Sequence, residues 1–136
     1  MPRRLSEQVV VITGASSGIG RETALAFARE GAAVVLAARN REALDEVALE
    51  VERLGGRAIA VPTDVADWAA VETLARTAKE RFGRIDTWVN DAAVSEYATI
   101  DAMTPAEIDR LVRVNLVGTV YGAKAAFAVM REQGAG

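Results

Sequence analysis

Residues 9–20, Val-Val-Val-Ile-Thr-Gly-Ala-Ser-Ser-Gly-Ile-Gly, decide the fold of this chain. A β-branched apolar run of strand length leads into glycines at positions 14, 18 and 20, and a helical spacing of apolar residues follows. Gly14 permits a tight turn off the strand, Gly18 lets the backbone approach a bound group, and Gly20 lets the helix pack closely on the sheet. The free N–H groups and positive dipole end of the helix suit a diphosphate.

A phosphate-binding loop of the Walker type is the obvious rival to this interpretation. Such a loop requires G-x-x-x-x-G-K-[ST], whereas here the first spacing is one residue shorter and Arg21 follows the last glycine. A glycine turn that only connects strand to helix is the other alternative. The strand before the glycines and the helix after them favour a dinucleotide site.

The rest of the chain repeats the alternation of strand and helix. We predict strands at residues 8–13, 33–38, 57–62 and 85–90, helices at 19–31, 44–54 and 68–82, and mostly helix over 97–133. Continuous apolar strands separated by amphipathic helices imply a parallel sheet covered on both faces. The predicted fold is therefore one doubly wound α/β domain of the Rossmann type over residues 1–136, with strand order 3-2-1-4.

Composition excludes several classes of function. The 136 residues carry a formal net charge of −3 and include no cysteine and no histidine, so we expect no thiolate nucleophile, no disulfide and no metal site of the usual kind. Mild acidity argues against a nucleic-acid binder. Residues 114–123, the longest uncharged stretch, fall far short of a membrane span, and Arg3-Arg4 lacks the apolar run of a twin-arginine signal. We expect a cytoplasmic protein.

The glycine stretch resembles the T-G-x-x-x-G-x-G motif of the short-chain dehydrogenase/reductase family. Three further features occur in the family's order: Asp64-Val65 after the third strand, Asn90-Asp91-Ala92-Ala93 in place of N-N-A-G, and Asn115. The resemblance covers residues 8–136. It implies the following cofactor-binding residues: Gly14, Ser16, Ser17, Gly18, Ile19, Gly20, Arg39, Asp64, Val65, Asn90 and Ala92.

Some of these residues have simpler interpretations. Aspartate is common in loops because it hydrogen-bonds its own backbone, which is the alternative for Asp64. The amide of Asn90 is expected to tie adjacent loops together as well as to border the ribose. Asp91 adds a possible negative charge and Ala93 a Cβ near the cofactor, where we expect adjustment and not loss of binding.

The identity of the cofactor is argued from the second strand. An acidic residue at its end would hold the ribose 2′-hydroxyl of NAD, but the strand ends in Ala37-Ala38-Arg39. A guanidinium there suits a 2′-phosphate, so we predict NADP(H) in preference to NAD(H). The alternative is that Arg39 is an ordinary solvated loop residue.

The resemblance implies hydride transfer between NADPH and a small-molecule carbonyl, or the reverse reaction on an alcohol, with Asn115 as a catalytic residue. The family's serine and Y-x-x-x-K pair are not found, and Tyr121 and Lys124 have the wrong spacing. We therefore expect an incomplete domain that is inactive alone, lacks C-terminal strands and helices, and leaves strand 85–90 at an open edge. A non-catalytic dinucleotide-binding module and a structural interaction unit are the alternatives. The helix with Gly118 and Gly122 resembles the family's dimer-forming helix, so we expect a homo-oligomer.

Overall fold

The computed structural model describes residues 3–136, in which four strands alternate with helices. After a short 3₁₀ turn at Leu5–Glu7, the strands are β1 (Val9–Thr13), β2 (Ala33–Ala38), β3 (Arg57–Pro62) and β4 (Thr87–Asn90). The helices are α1 (Gly18–Arg29), α2 (Arg41–Arg53), α3 (Trp68–Phe82), α4 (Pro105–Leu111) and α5 (Gly118–Gln133). A π-helical segment, Val112–Val117, joins α4 to α5 without a break in the helical backbone. Its turn is wider than that of an α-helix, and the segment is named the wide turn.

The four strands form one parallel sheet in the order β3-β2-β1-β4, which confirms the predicted Rossmann order. In the register, Val11 lies between Val35 of β2 and Trp88 of β4. The two central strands are almost wholly buried, while β3 and β4 are partly exposed because each has a neighbour on one side only. Burial on both faces explains the continuous apolar runs of β1 and β2.

The core consists of two layers, one on each face of the sheet. Alternate residues of a strand point to opposite faces, so Val11 belongs to the layer under α3 and α5, and Ile12 to the layer under α1 and α2. Leu74 of α3 and Leu44 of α2 are fully buried in these respective layers. The sheet is therefore covered on both faces, as predicted.

Two predicted starts are wrong by two or three residues, for local reasons. The second helix starts at Arg41 and not at residue 44, because the Asn40 side chain accepts a hydrogen bond from Ala43 N (3.1 Å) and caps it. The fourth strand starts at Thr87 and not at residue 85, because the Asp86 carboxylate takes the Val9 N–H at 2.9 Å in place of a strand carbonyl.

The C-terminal region contains less helix than predicted at its start. Residues 91–104 are irregular, and α4 begins only at Pro105, where Thr104 and Glu107 form a reciprocal capping box. The helical backbone then continues to Gln133 and ends at Gly134, which has a left-handed φ of 71°. A hydroxyl cap followed by proline in the first turn is a typical signal of such a helix start.

Helix α5 packs against the edge strand β4 through a glycine. A Cβ on Gly122 would overlap Asn90 Oδ1 and lie 2.7 Å from Trp88 Nε1, so only glycine permits this approach. The opposite face of the same helix is exposed, and Phe127 there is 63% accessible. The predicted open edge at β4 is present in the described residues, and this exposed face of α5 lies beside it.

Candidate functional site

A cleft of about 590 Å³ opens at the carboxyl ends of the strands. Ligands of doubly wound sheets bind at this edge, beside the strand at which the strand order reverses, which here is β1. The following predicted site residues line it: Gly14, Ser16, Ser17, Gly18, Ile19, Arg39, Asp64, Val65 and Ala92. Segments widely separated in sequence therefore converge on one cavity.

The glycine turn forms the floor of the cleft at the start of α1. Gly18 has a φ of 54°, and among the described residues no atom lies within 4 Å of the position that a Cβ there would take. A Cβ on Gly20 would overlap the Gly14 carbonyl oxygen, so the first turn of α1 packs directly on the turn that precedes it. Gly18 leaves room for a ligand, and Gly20 serves packing and does not line the cleft.

The amides at the beginning of α1 are available to a ligand. The N–H of Arg21 donates to Ser17 O (3.2 Å), which is the first bond of the helical ladder. The N–H groups of Gly18, Ile19 and Gly20 precede this bond and belong to the unsatisfied donors of a helix start. Together with the helix dipole they suit an anionic group.

Thr13 joins the glycine turn to the segment after β4. Its buried hydroxyl oxygen accepts from Asp91 N (3.2 Å) and Ala92 N (3.3 Å), and the hydroxyl donates to Val89 O (3.4 Å). Thr13 belongs to the glycine motif, but the motif alone does not predict this function. A polar residue at the end of an otherwise apolar strand is the signal that would have found it.

Arg39 stands at the carboxyl end of β2 on the rim of the cleft. Its side chain is exposed, and within residues 3–136 it forms no ion pair and no side-chain hydrogen bond. At this edge no carboxylate follows β2, since the residues that line the cleft beside Arg39 are Ala38 and Asn40. A free guanidinium in this position can receive a phosphate.

Asp64 and Val65 form the wall of the cleft beyond β3. Asp64 Oδ1 accepts from Ala66 N (2.9 Å), which is the local turn that sequence analysis gave as the alternative for this residue. The residue nevertheless lines the cavity, so the turn and a ligand contact are compatible. Val65 is buried and lies against Gly118 of α5.

Asn90 faces α5 and not the cavity. Its Oδ1 accepts from Trp88 Nε1 (2.9 Å), and its Nδ2 donates to Thr119 O (3.4 Å). Of the two functions expected for this residue, the structure shows the tie between neighbouring segments. It does not place Asn90 in the lining of the cleft.

Asn115 holds the outer wall of the cleft in place. Its Oδ1 accepts from Val94 N and its Nδ2 donates to Val94 O, both at 2.8 Å, so one side chain satisfies both backbone groups of that residue. Val94 and Val114 both line the cavity, although Asn115 itself does not. The wide turn at Val112–Val117 carries Asn115, and Thr119 Oγ1 donates to the Asn115 carbonyl (2.8 Å).

Tyr121 and Lys124 form a packing cluster with Trp68 of α3. The rings of Trp68 and Tyr121 meet edge to face with centroids 5.4 Å apart, and Lys124 Nζ lies 4.6 Å from the Trp68 ring centroid. None of the three lines the cleft. This arrangement supports the structural interpretation of the pair over a proton relay.

Further residues complete the lining of the cavity. The following lining residues were not predicted from the sequence: Ala38, Asn40, Thr63, Val94 and Val114. Asp91 and Ala93, the two departures from N-N-A-G, also line it. Most of these residues follow or precede a predicted site residue directly, so adjacency was the available signal.

Within residues 3–136, no group of three acidic side chains is arranged to hold a metal ion. In the same part of the chain, no helix has the length and apolar character needed to cross a membrane.

Many known proteins are similar to this chain. A family model for short chain dehydrogenases matches residues 8–136. An uncharacterized oxidoreductase of Bacillus subtilis, YxnA, is 48% identical over 124 residues, which cover 91% of this chain and 35% of the relative. An uncharacterized oxidoreductase of Mycobacterium bovis is 42% identical over 135 residues, covering 98% of this chain and 53% of the relative.

Solved structures have the same fold. A short-chain type dehydrogenase/reductase from Mycobacterium marinum superimposes with a TM-score of 0.94 at 36% identity, over 97% of this chain and 53% of that one. An alcohol dehydrogenase from Thermococcus sibiricus, solved with 5-hydroxy-NADP, gives 0.88 at 32% identity, over 94% of this chain and 55% of that one. The chain thus spans about a third to just over half the length of these relatives. Because the family model matches residues 8–136, nearly the whole of this chain, we conclude that the chain belongs to the short-chain dehydrogenase family of oxidoreductases.

Proposed function

We propose that the chain is the dinucleotide-binding portion of an NADP(H)-dependent oxidoreductase that interconverts a small carbonyl compound and its alcohol. The observation that carries the choice of cofactor is Arg39, a cation without an ion-pair partner in residues 3–136, on the rim of the cleft. No acidic residue occupies the end of β2, where one would hold the 2′-hydroxyl of NAD.

The residues of the cleft fit such a cofactor. The N–H groups of Gly18 and Ile19 and the hydroxyls of Ser16 and Ser17 would hold the diphosphate, with open space above Gly18 for its approach. Arg39 would hold the 2′-phosphate. The nicotinamide supplies the hydride chemistry when bound.

The remaining members of the site complete the proposal. Asp64 and Val65 would border the adenine, and Ala92 would border the ribose with support from Asn90. Gly20 would act by allowing α1 to pack at the distance that presents its first amides.

Catalysis itself requires residues beyond 136 in this proposal. In the described lining of the cleft there is neither a tyrosine nor a lysine that could move a proton to or from substrate. Asn115 would support the reaction by fixing Val94 and the wall of the cleft beside the reacting groups. The 136-residue chain is therefore expected to bind cofactor without turnover.

The same lining supports a second candidate function, a dinucleotide-binding module that performs no chemistry. Within residues 3–136, the lining of the cleft contains no tyrosine and no lysine for proton transfer, and a binding module would need neither. Consumption of NADPH by the longest available form of the protein with a set of small ketones and aldehydes would distinguish the two functions. A binding module would leave NADPH unchanged.

We further propose that the protein is a homo-oligomer. Leu116, Val120 and Phe127 are each more than half exposed and follow one face of the wide turn and α5. A row of apolar side chains of this kind is typical of a surface that another polypeptide covers.

Substitution of Arg39 tests the choice of cofactor. We expect the chain to bind NADPH more tightly than NADH, and Arg39→Ala to weaken NADPH about tenfold or more, because a charge-assisted phosphate contact is lost. NADH affinity should change less than about twofold. Isothermal titration measures both, with Arg53→Ala at the exposed end of α2 as the matched control. An unchanged preference in Arg39→Ala would contradict the assignment.

A further inference from the structure

We propose that Asp91 is a specificity-determining residue of the cleft, whose carboxylate weakens binding of the diphosphate and so favours ligands with less negative charge there. The proposal rests on the dinucleotide site proposed above. Asp91 is one of the two positions at which the sequence departs from N-N-A-G. The family usually has asparagine at this position.

The position of the carboxylate carries the proposal. Asp91 Oδ2 lies 2.8 Å from the point that a Cβ on Gly20 would occupy, so it sits against the first turn of α1. The backbone of Asp91 is fixed on the other side, because its carbonyl carbon lies 3.0 Å from the corresponding point on Gly14. Its N–H donates to Thr13 Oγ1 at 3.2 Å. The carboxylate is therefore held between the glycines that shape the diphosphate site.

Within residues 3–136, nothing neutralises this carboxylate by direct contact. Asp91 forms no ion pair there, and none of its side-chain atoms takes part in a hydrogen bond between described residues. The other charged residues of the lining are Arg39 and Asp64. Arg39 follows β2 and Asp91 follows β4, on opposite sides of β1, so two strand spacings, roughly 10 Å, separate their strand ends.

An anionic ligand at the start of α1 thus meets a fixed negative charge that already occupies the positive end of the helix. The carboxylate gains from the helix dipole when no phosphate is present and opposes a phosphate that arrives there. At about 0.1 M salt the screening length is roughly 10 Å, so the repulsion acts across the site. Asparagine would preserve the shape of Asp91 without this charge.

The test compares Asp91→Asn with the parent chain, using ADP and adenosine as probes. ADP carries the diphosphate and adenosine does not, so only ADP binding should respond. We expect Asp91→Asn to bind ADP about fivefold more tightly in low salt, with adenosine affinity unchanged within about twofold. The ratio of the ADP affinities of Asp91→Asn and the parent chain should fall towards one in about 1 M salt. A difference caused by altered packing would not depend on salt in this way.

Asp101→Asn is the matched control, because it removes the same charge from an exposed residue outside the cleft. Asp91→Ser, read in the same titrations, replaces Asp91→Asn if circular dichroism shows that the latter is unfolded. Equal or weaker ADP binding in a folded Asp91 variant overturns the inference. So does a gain that Asp101→Asn shares. Absence of both NADPH and ADP binding in the parent chain overturns the proposed function as well, whereas NADPH binding without the gain overturns only the inference about Asp91.

Discussion

Asp86 illustrates how one side chain secures the amino-terminal edge of the sheet, opposite the cleft. Its carboxylate accepts from Arg84 through Nε (2.8 and 2.9 Å) and from Val9 N (2.9 Å), and Arg3 approaches to 3.6 Å. Burial raises the pKa of Asp86, but the hydrogen bonds from Arg84 and Val9 and the two positive charges outweigh it, so the pKa lies below its usual range. The ionised form therefore stabilises the fold.

This pKa predicts how stability depends on pH. Because the folded-state pKa is depressed, the contribution of Asp86 is present above the unfolded-state pKa of about 4 and is lost as the pH falls through the lower folded-state value. Asp86→Asn should lower the free energy of unfolding at pH 7 by about 1–3 kcal/mol. The difference from the parent chain should narrow as the pH falls below about 4.

Urea unfolding of both proteins at pH 7 and at about pH 3 measures this effect. Asp101→Asn, which removes an exposed carboxylate outside the described ion pairs, serves as the control and should change stability by less than about 0.5 kcal/mol. Equal stability of Asp86→Asn and the parent chain at pH 7 would show that the Arg84 and Val9 contacts contribute nothing.

Local geometry followed the sequence at the glycine turn. Gly14, Gly18 and Arg39 line the cleft at one edge of the sheet and Gly20 packs beneath it, while their cofactor contacts stay predictions. The partners of Asp86 and Asn115 were not predictable, because Val9 is 77 residues from Asp86 and Val94 is 21 residues from Asn115. Such contacts exist only after the strands pair, so the local spacing of residues does not predict them.

At the scale of elements, the contact between α5 and β4 determines one wall of the site. Gly122 allows the helix to lie against Asn90, whose amide then donates to the α5 backbone at Thr119 O. Gly118 makes a similar approach to Val65, which lines the cleft. The glycines of α5 thus face the sheet, and the apolar surface proposed for self-association is on the other side of the helix.

Gly122→Ala tests this contact. The added Cβ would overlap Asn90 Oδ1, so we expect the free energy of unfolding to fall by about 1–3 kcal/mol, despite the better helix propensity of alanine. Asn90→Ala in the same chain should recover part of the loss by making room. Ala128→Gln, at an exposed position of α5 outside the row of Leu116, Val120 and Phe127, should stay within about 0.5 kcal/mol of the parent chain. A Gly122→Ala variant as stable as the parent would refute close packing of α5 on β4.

Element boundaries followed the sequence less closely than element types. Apolar periodicity located every strand and the cores of the helices, but side-chain caps such as Asn40 moved the starts by several residues. The wide turn at Val112–Val117 had no local signal, because its apolar residues are compatible with an ordinary helix. In the folded chain the Asn115 side chain of this segment hydrogen-bonds the Val94 backbone, which belongs to a separate segment and could not be predicted from local sequence.

For the molecule as a whole, alternation of strand and helix was enough to predict the parallel sheet and its order, because few connections of this kind are sterically allowed. The two exposed edges and the apolar face of α5 belong to a chain that spans about a third to just over half of its relatives' length. This chain supplies the glycine turn, Arg39 and Val65 to the cleft, so cofactor binding can be examined on it directly.

The most direct test of the central claim is a titration of the ¹⁵N-labelled chain with NADPH, followed by two-dimensional NMR of the backbone amides. We predict that the amides of Gly18, Ile19 and Gly20 shift most, since they precede the first helical bond of α1, and that Arg39 and Val65 shift with them. Shifts confined to the opposite edge of the sheet, around Asp86, or no shifts at all at millimolar NADPH, would contradict the account.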